Sequence, residues 1–197
     1  MNKIILFFEN LLLRLRYCYY RQLFGTVGKG CVFHGRVFVR GNPKNIRIGE
    51  NVTFEPHVWI WILENGQVFI DDNTYIGRCT KLISIKSIEI GKNTLLAADC
   101  FLQDCSHGIK QGQLIRTQPL RVGAIRIGSD VWLGTKTVVL ENLRIGDGAV
   151  IGAHSLVRKS IAPNAVAAGI PVKLIKMRET EDAKCKQVEM ENFLSVK

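Results

Sequence analysis

The stretch IGSDVWLGTKTVVLENLRIGDGAVIGAHSLV, residues 127–157, decides the fold of the chain. An aliphatic residue stands at every sixth position: Ile127, Leu133, Val139, Ile145, Ile151 and Val157. Glycine follows at 128, 134, 146 and 152, and the fifth position of each unit is small or branched. Because helices repeat every ~3.6 residues and strands every two, a period of six requires short strands separated by regular turns. The rhythm predicts a parallel β-helix, a prism whose repeating positions point inward.

The same six-residue period occurs upstream in three runs, between which the phase shifts. They are Ile48, Phe54 and Ile60; Ile70, Ile76 and Leu82; and Ile90, Leu96 and Leu102. The fifth positions agree, at Val52, Val58, Thr74, Thr80, Thr94, Cys100 and Ser106. Three hexapeptides make one coil, so we expect about five coils, with residues 25–47 adding an imperfect first turn.

One break in the rhythm is longer than the others. Residues 108–124, GIKQGQLIRTQPLRVGA, have no period of six. We expect a loop that leaves one corner and helps to form a binding face.

Two prolines and a glycine within 160–178 end the coil. The predicted organisation is an amphipathic helical segment at 1–24, a β-helix domain at 25–177 with a protruding loop at 108–124, and a short helix or tail at 178–197.

The composition is that of a basic protein without a disulfide framework. Lys and Arg number 27 against 17 Asp and Glu, which gives a formal net charge of +10. Such a surface attracts polyanions such as coenzyme phosphates, nucleotide-sugars or anionic lipid, or is simply a solvated basic surface. We expect no nucleic-acid partner. The six cysteines include no C-x-x-C pair and Cys100 falls at an inward position, which suits a reducing cytoplasm.

The N-terminal segment, MNKIILFFENLLLRLRYCYYRQLF, has apolar residues at helical spacing. Glu9 and Asn10 interrupt the apolar run and no small-residue cleavage site follows, so we do not expect a signal peptide. The run is also too short and too charged to span a bilayer. Two alternatives are open: a helix lying on an anionic membrane surface, or a helix packed on the prism end or another subunit. The expected location is the cytoplasm, either free or on the inner face of the plasma membrane.

The chemistry is predicted at His107, the last residue before the long loop. An imidazole can accept a proton at neutral pH, and a nearby carboxylate such as Asp104 can fix its tautomer. We therefore expect His107 and Asp104 to be the catalytic pair. There is no G-x-S-x-G motif and no P-loop, and the four histidines lie too far apart in sequence to demand a metal site.

The segment IGSDVWLGTKTVVLENLRIGDGAVIGAHSLVRKSIAPNAVAAGIPVKLIK resembles the C-terminal half of the hexapeptide-repeat, left-handed β-helix acetyltransferases. The motifs IG-x-x-VW-[IL]-G, IG-x-x-A-V-IGA and A-G-I-P-V-K-x-I-K occur in order and at family spacing. The resemblance covers about residues 48–177. It is strongest to the branch that acts on sugars and surface polysaccharides.

This resemblance implies a homotrimer with three active sites in clefts between neighbouring coils, each binding acetyl-CoA. His107 would deprotonate an acceptor hydroxyl that attacks the thioester directly, with backbone N–H groups stabilising the oxyanion. Trp132 would lie near the thioester. The resemblance further implies that the pantetheine arm follows the backbone of Gly134, Thr135, Gly152 and Ala153, and that the adenosine phosphates lie near Lys173 and Lys176.

The function implied is O-acetylation of a sugar hydroxyl on a bacterial surface polysaccharide or its lipid-linked precursor. Transfer to a small molecule (a free sugar, a nucleotide-sugar amine or serine) is an alternative. A metal hydratase like the γ-class carbonic anhydrases, which needs three converging histidines, is another. Two departures from the family pattern leave the acceptor open: Gly108-Ile109 follows His107, and His154 replaces the usual glycine. His154 either lines the coenzyme groove or fills a corner.

Overall fold

The computed structural model describes residues 3–179 and contains one helix followed by a parallel β-solenoid of about six turns. The predicted β-helix is confirmed. Helix α1 spans Lys3–Leu23. Of the predicted C-terminal helix or tail at 178–197, residues 180–197 lie outside the described residues.

Each coil contributes one strand to each of three faces. The first coil contains β1 (Thr26–Val27), β2 (Val32–Phe33) and β3 (Val37–Arg40), and the second contains β4 (Ile46–Ile48), β5 (Thr53–Phe54) and β6 (Val58–Ile62). The third coil contains β7 (Gln67–Ile70), β8 (Tyr75–Ile76) and β9 (Lys81–Ser84). The fourth contains β10 (Ser87–Ile90), β11 (Leu95–Leu96) and β12 (Phe101–Gln103). Strand β13 (Cys105–Ser106) precedes the loop at 108–124, and β14 (Arg121–Val122) lies near the end of the loop. The last coils contain β15 (Ile125–Ile127), β16 (Trp132–Leu133), β17 (Val138–Val139); β18 (Leu143–Ile145), β19 (Val150–Ile151), β20 (Leu156–Val157); and the hairpin β21 (Ala165–Gly169) and β22 (Val172–Met177).

The first, second and third strands of every coil form face 1, face 2 and face 3. We name the corners by the faces that they join: corner 1–2, corner 2–3 and corner 3–1. Strand β21 continues face 2, and β22 pairs with it antiparallel at the end of the solenoid. Short 3-10 turns lie at Pro43–Asn45 and Ile115–Thr117.

The six-residue rhythm decides which side chains form the core. All six aliphatic residues that begin the hexapeptides of 127–157 are at most 3 % exposed. Each stacks on its equivalent one coil away, because the parallel register pairs Ile127 with Ile145 and Leu133 with Ile151. Burial of one such side chain contributes about 1.5–3 kcal/mol.

The fifth position is small and often polar because it lies beneath a corner whose carbonyl groups point inward. Thr137 Oγ1 donates to the carbonyl of Gly134 at 2.7 Å, and Ser155 Oγ donates to that of Gly152 at 2.7 Å. These hydroxyls satisfy carbonyls that burial would otherwise leave unpaired.

The C-terminal turns of α1 close the N-terminal end of the solenoid. Tyr20 and Phe24 are buried, and their rings extend the aromatic stack of Phe33 and Phe54, whose centroids are 5.0 Å apart. The Tyr20 hydroxyl accepts a hydrogen bond from the Val37 N–H at 2.8 Å. The helix therefore packs on the prism end, which was one of the two predicted alternatives. Its outer face stays exposed. Within the described residues, no helix is long and apolar enough to cross a membrane.

The three faces present different side chains outward. Face 1 is polar, and its Arg126 pairs with Glu89 at 3.3 Å. Faces 2 and 3 present mostly apolar groups: Val32, Tyr75, Leu95, Trp132 and Val150 on face 2, and Phe38, Trp59, Trp61, Ile83, Phe101, Val138 and Leu156 on face 3. Contiguous outward apolar groups of this kind mark contact surfaces.

Candidate active site

His107 lies at corner 3–1, where the loop leaves the solenoid. It directly follows β13, which pairs antiparallel with β14 through Cys105 and Val122 and through Ser106 and Arg121. These two strands form a stem that separates the loop from the prism. The His107 side chain is exposed. The imidazole is therefore presented at the surface by an ordered two-stranded support.

Asp104 does not have the partner that the sequence suggested. Its carboxylate is fully buried and accepts hydrogen bonds from Ser84 Oγ at 2.8 Å, Ile85 N at 2.7 Å and Lys86 N at 2.8 Å. Among the described hydrogen bonds, none joins it to His107. In this structure the Asp104 carboxylate is bound to the preceding coil, and the predicted orientation of the imidazole by Asp104 stays a prediction. Asp104 fastens this corner to the preceding coil, and His107 projects from the same corner.

The loop is held by polar residues that sequence reasoning missed. Ser106, which the rhythm placed inward, lies instead in the stem, where its hydroxyl donates to Glu141 Oε1 at 2.7 Å. Arg121 lies 3.5 Å from the same carboxylate oxygen. The buried Gln118 side chain accepts from Lys110 N at 2.7 Å and donates to Lys110 O at 2.9 Å. The loop has no periodic pattern from which these contacts could be found.

The residues expected to bind coenzyme lie elsewhere on the prism. Trp132 is 52 % exposed on face 2. Gly134 and Thr135 form corner 2–3 of the fifth coil, and Gly152 and Ala153 form the same corner of the sixth. A Cβ on Gly134 would lie 2.5 Å from the Ala153 backbone nitrogen, so this close stacking of corners requires glycine. The seven residues that share this side of the molecule are Trp132, Gly134, Thr135, Gly152, Ala153, Lys173 and Lys176.

The end of the solenoid near these residues is basic. Lys173 and Lys176 are exposed on β22. Next to this strand, a cavity of about 310 Å³ is lined by Arg158, Lys159, Pro171 and Val172. Arg158 and Lys159 were not predicted from the sequence as site residues, although both are cations placed just after β20. The arrangement can receive an anionic group.

His154 occupies a corner rather than a face. It lies at corner 2–3 with a left-handed backbone (φ 55°), and its N–H donates to the carbonyl of Thr135 at 2.8 Å. Its side chain is exposed. In this arrangement the residue forms the turn between two faces.

The two halves of the expected site do not meet within one chain. His107 lies at corner 3–1, and the coenzyme candidates lie on face 2 and at corner 2–3. The whole of face 3 separates them. A site that uses both sets of residues therefore needs a second copy of the chain.

Two buried cysteines, Cys105 near His107 and Cys100 at corner 2–3, have thiols of low reactivity. Burial raises the pKa of the Cys105 thiol, and burial raises the pKa of Cys100 to about 12. A thiol that stays protonated at neutral pH is a poor nucleophile. In the described part of the chain, no three His, Cys, Asp or Glu residues are grouped so as to hold a metal ion.

Comparison with known proteins agrees with this fold. The bacterial transferase hexapeptide (six repeats) model matches residues 124–159. The putative lipopolysaccharide biosynthesis O-acetyl transferase WbbJ of Escherichia coli K12 is 36 % identical over 143 residues, covering 68 % of this chain and 73 % of the relative.

Two solved structures are also similar. One is a galactoside acetyltransferase in complex with coenzyme A (TM-score 0.60, 28 % identity, 85 % of this chain and 72 % of that chain). The other is AntD, an N-acyltransferase from Bacillus cereus in complex with dTDP and 3-hydroxybutyryl-CoA (TM-score 0.76, 20 % identity, 90 % and 96 %). At its low identity, the AntD likeness concerns the fold alone.

The solenoid, the relatives named as acetyltransferases and the galactoside acetyltransferase bound to coenzyme A together define a CoA-dependent acyltransferase. The chain belongs to the bacterial hexapeptide-repeat transferase family.

Proposed function

We propose that the protein transfers an acetyl group from acetyl-CoA to a sugar hydroxyl of a bacterial surface polysaccharide or its lipid-linked precursor. The position of His107 carries this proposal: it is an exposed base at the stem of the loop, in a chain whose relatives are named as lipopolysaccharide and galactoside O-acetyltransferases. The reaction takes place on the cytoplasmic side of the membrane, where acetyl-CoA is available.

His107 acts as the general base. Its imidazole takes the proton of the acceptor hydroxyl while the oxygen attacks the thioester carbonyl carbon. The tetrahedral intermediate collapses, the C–S bond breaks, and the CoA sulfur leaves with the proton returned by the imidazolium. Backbone N–H groups stabilise the oxyanion. Direct transfer of this kind needs no protein nucleophile, which fits the raised pKa of the Cys105 thiol near His107.

The coenzyme lies along face 2 and corner 2–3. Trp132 offers an exposed ring to the pantetheine end. Gly134 and Gly152 place no side chain at their own positions in that corner, where an added Cβ would meet the neighbouring coil. Lys173 and Lys176, with Arg158 and Lys159 near the start of β22, supply positive charge for the adenosine phosphates.

A homotrimer completes the site. Because His107 and the coenzyme residues occupy different corners of one prism, the base of one copy must serve the coenzyme of its neighbour. Faces 2 and 3 provide two different apolar surfaces, and contacts between unlike surfaces can close into a ring. The polar face 1 then remains in water.

Helix α1 attaches the enzyme to an anionic membrane surface. Its outer side is apolar, with Phe8 56 %, Leu11 40 %, Leu15 57 % and Tyr19 59 % exposed at helical spacing. Exposed Arg14 and Arg21, seven residues apart, lie along one edge of this side. An apolar face bordered by cations is typical of helices that lie in the interface of anionic bilayers.

Replacing Leu15 with aspartate should strongly reduce sedimentation of the protein with phosphatidylglycerol vesicles. The charge would have to enter the apolar part of the interface. Leu114→Asp, the same change at a 72 % exposed leucine in the loop, should leave sedimentation unchanged. Equal sedimentation of wild type and Leu15→Asp would contradict membrane attachment through this helix face.

The product distinguishes the proposed acceptor class from its alternative. An O-acetyl ester is cleaved by mild alkali, whereas an N-acetyl amide survives the same treatment. With [¹⁴C]acetyl-CoA and a panel of neutral oligosaccharides and nucleotide-linked amino sugars, label should enter the oligosaccharides and be released by alkali. Alkali-stable label on the amino sugars would replace O-acetyl transfer with N-acyl transfer.

A further inference from the structure

A cavity of about 570 Å³ lies between helix α1 and the first coil of the solenoid. Pockets for small ligands measure roughly 300–1,000 Å³, so the cavity has the size for one such group. Much of its wall is aliphatic, with leucines from the helix and valines from β3: Leu12, Leu15, Leu23, Val37 and Val39. We call it the end cavity.

The end cavity opens at the N-terminal end of the prism and not across a face. Successive residues of a strand point to opposite sides. In β3, Val37 and Val39 line the cavity, whereas Phe38 and Arg40 project outward from face 3. The homotrimer proposed above covers faces 2 and 3 by contacts between the sides of the prisms. Such contacts leave the end of each prism open.

The end cavity is continuous with the apolar outer side of helix α1. Leu15 and Tyr19 belong to that outer side, where they are 57 % and 59 % exposed, and both also line the cavity. The surface that is proposed to lie on the membrane therefore leads directly into the cavity. An apolar chain can pass from the bilayer into the cavity without crossing water.

Two arginines give the end cavity a positive charge. Arg16 and Arg36 line it, and no aspartate or glutamate is among the described residues of its wall. Arg16 Nη1 donates to the His34 carbonyl at 2.7 Å, which fixes the guanidinium while its other N–H groups remain donors. The Arg36 guanidinium lies 4.9 Å from the Phe38 ring centroid, and none of the ion pairs between described residues includes it. Two cations beside an apolar wall fit a phosphate that carries an apolar chain.

The end cavity also reaches the corner that carries the catalytic base. Gly41 and Pro43, which follow β3 at corner 3–1, form part of its wall. His107 lies at the same corner, where the chain leaves the fourth coil. The strands β3, β6, β9 and β12 are consecutive neighbours in face 3. At a strand spacing of about 4.8 Å, three steps separate the two levels by roughly 14 Å.

We propose that the end cavity binds the lipid phosphate of a lipid-linked glycan, which makes the lipid-linked precursor, and not the finished polysaccharide, the acceptor. The inference rests on the proposed function and narrows its acceptor class. Arg16 and Arg36 bind the phosphate oxygens, and the aliphatic wall contacts the first part of the lipid chain. The glycan extends from the phosphate along corner 3–1 and brings a sugar hydroxyl to His107.

Calorimetry with dodecyl phosphate, below its critical micelle concentration, tests the cavity without acetyl transfer. The probe combines a phosphate with an apolar chain and should bind saturably at one site per protein chain. Inorganic phosphate lacks the chain, and dodecyl maltoside lacks the phosphate, so both should bind much more weakly. Arg36→Gln removes one cation and should weaken binding of dodecyl phosphate about 10-fold or more, the scale of a hydrogen bond to a charged group.

Arg47→Gln is the matched control for the calorimetry. Arg47 is an exposed arginine like Arg36, and its guanidinium also lies over an aromatic ring, 5.4 Å from the Phe69 centroid, but on face 1. This variant should bind dodecyl phosphate with the wild-type Kd. Equal Kd values in wild type and Arg36→Gln, or equal affinity for dodecyl phosphate and dodecyl maltoside, would overturn the lipid-phosphate site.

Kinetics identify whether the bound lipid phosphate belongs to the acceptor. One acceptor is an oligosaccharide joined through phosphate to a dodecyl chain, and the other is the same oligosaccharide with a free reducing end. Arg36→Gln should raise KM for the first about 10-fold or more and leave KM for the second and for acetyl-CoA unchanged. An unchanged KM for the lipid-linked acceptor, in a variant that has lost dodecyl phosphate binding, would assign the cavity to a membrane lipid and overturn the proposal.

The two readouts separate failure of this site from failure of the proposed function. Binding of dodecyl phosphate that depends on Arg36, in a protein that acetylates no glycan, would retain the lipid-phosphate site and reject the reaction. Acetylation of a glycan by a protein that does not bind dodecyl phosphate would retain the reaction and overturn the site.

Discussion

Replacing His107 with alanine is expected to lower the rate of acetyl transfer by about 10²–10⁴-fold, the range of a missing general base. The acceptor hydroxyl would then lose its proton only to water. The measurement is thiol release from acetyl-CoA in the presence of a glycan acceptor. Because the coenzyme candidates lie at another corner, the variant should still bind CoA with an unchanged Kd in calorimetry.

His34→Ala is the matched control for this change. His34 is also exposed, but it lies in the first coil, four coils away from the coenzyme corner formed by Gly134. The His34 N–H donates a hydrogen bond to the Phe54 carbonyl, and the His34 carbonyl accepts one from the Arg16 guanidinium. Neither hydrogen bond involves the imidazole. The control should retain wild-type turnover. Turnover of His107→Ala equal to that of the control would remove His107 from the mechanism.

Replacing Asp104 with asparagine should lower the free energy of unfolding by about 1.5–3 kcal/mol, the worth of a hydrogen bond to a charged group. The amide can accept from one backbone N–H but turns its own N–H₂ towards another donor. The corresponding fall in Tm is roughly 3–12 °C for a chain of this size, measured by circular dichroism. Turnover should also fall, since the corner carrying His107 loses its attachment to Ile85 and Lys86.

Asp72→Asn is the control for the Asp104 substitution. Asp72 also accepts a backbone N–H from the preceding coil, that of Glu50 at 2.8 Å, but its side chain is partly exposed to solvent. This N–H and the Lys92 ammonium hold the pKa of Asp72 below its ordinary value. Asp72→Asn should change Tm much less than Asp104→Asn. An unchanged Tm in Asp104→Asn would contradict the anchoring role.

The fold could be predicted because the solenoid repeats its own packing. Once the side chains of Ile127 and Leu133 are assigned to the core, the period of six predicts which later side chains up to Val157 also point inward. Because similar coils stack on one another, few other folds fit this pattern. The helix was also predictable in outline, from apolar spacing in the first 24 residues. Its packing was not, because Tyr20 and Phe24 meet Phe33 and Phe54 only after the first coils have formed.

The site was less predictable because its contacts cross coils. Asp104 lies three residues from His107 in sequence, yet its partners are residues 84–86 of the preceding coil. A period states which residues point inward but not which groups meet at a corner. Glu141 and Gln118, which hold the loop stem and the loop, carry no repeat signal at all.

The function is tested most directly by the dependence of thiol release on the acceptor. Purified wild-type protein is mixed with acetyl-CoA, with and without a panel of surface-polysaccharide oligosaccharides, and free CoA is measured with a thiol reagent. Direct transfer to a sugar hydroxyl predicts release only when a glycan is present, in equal amount to the acetyl ester formed. Release that is independent of every glycan, or acetyl ester absent from the product, would contradict a sugar O-acetyltransferase.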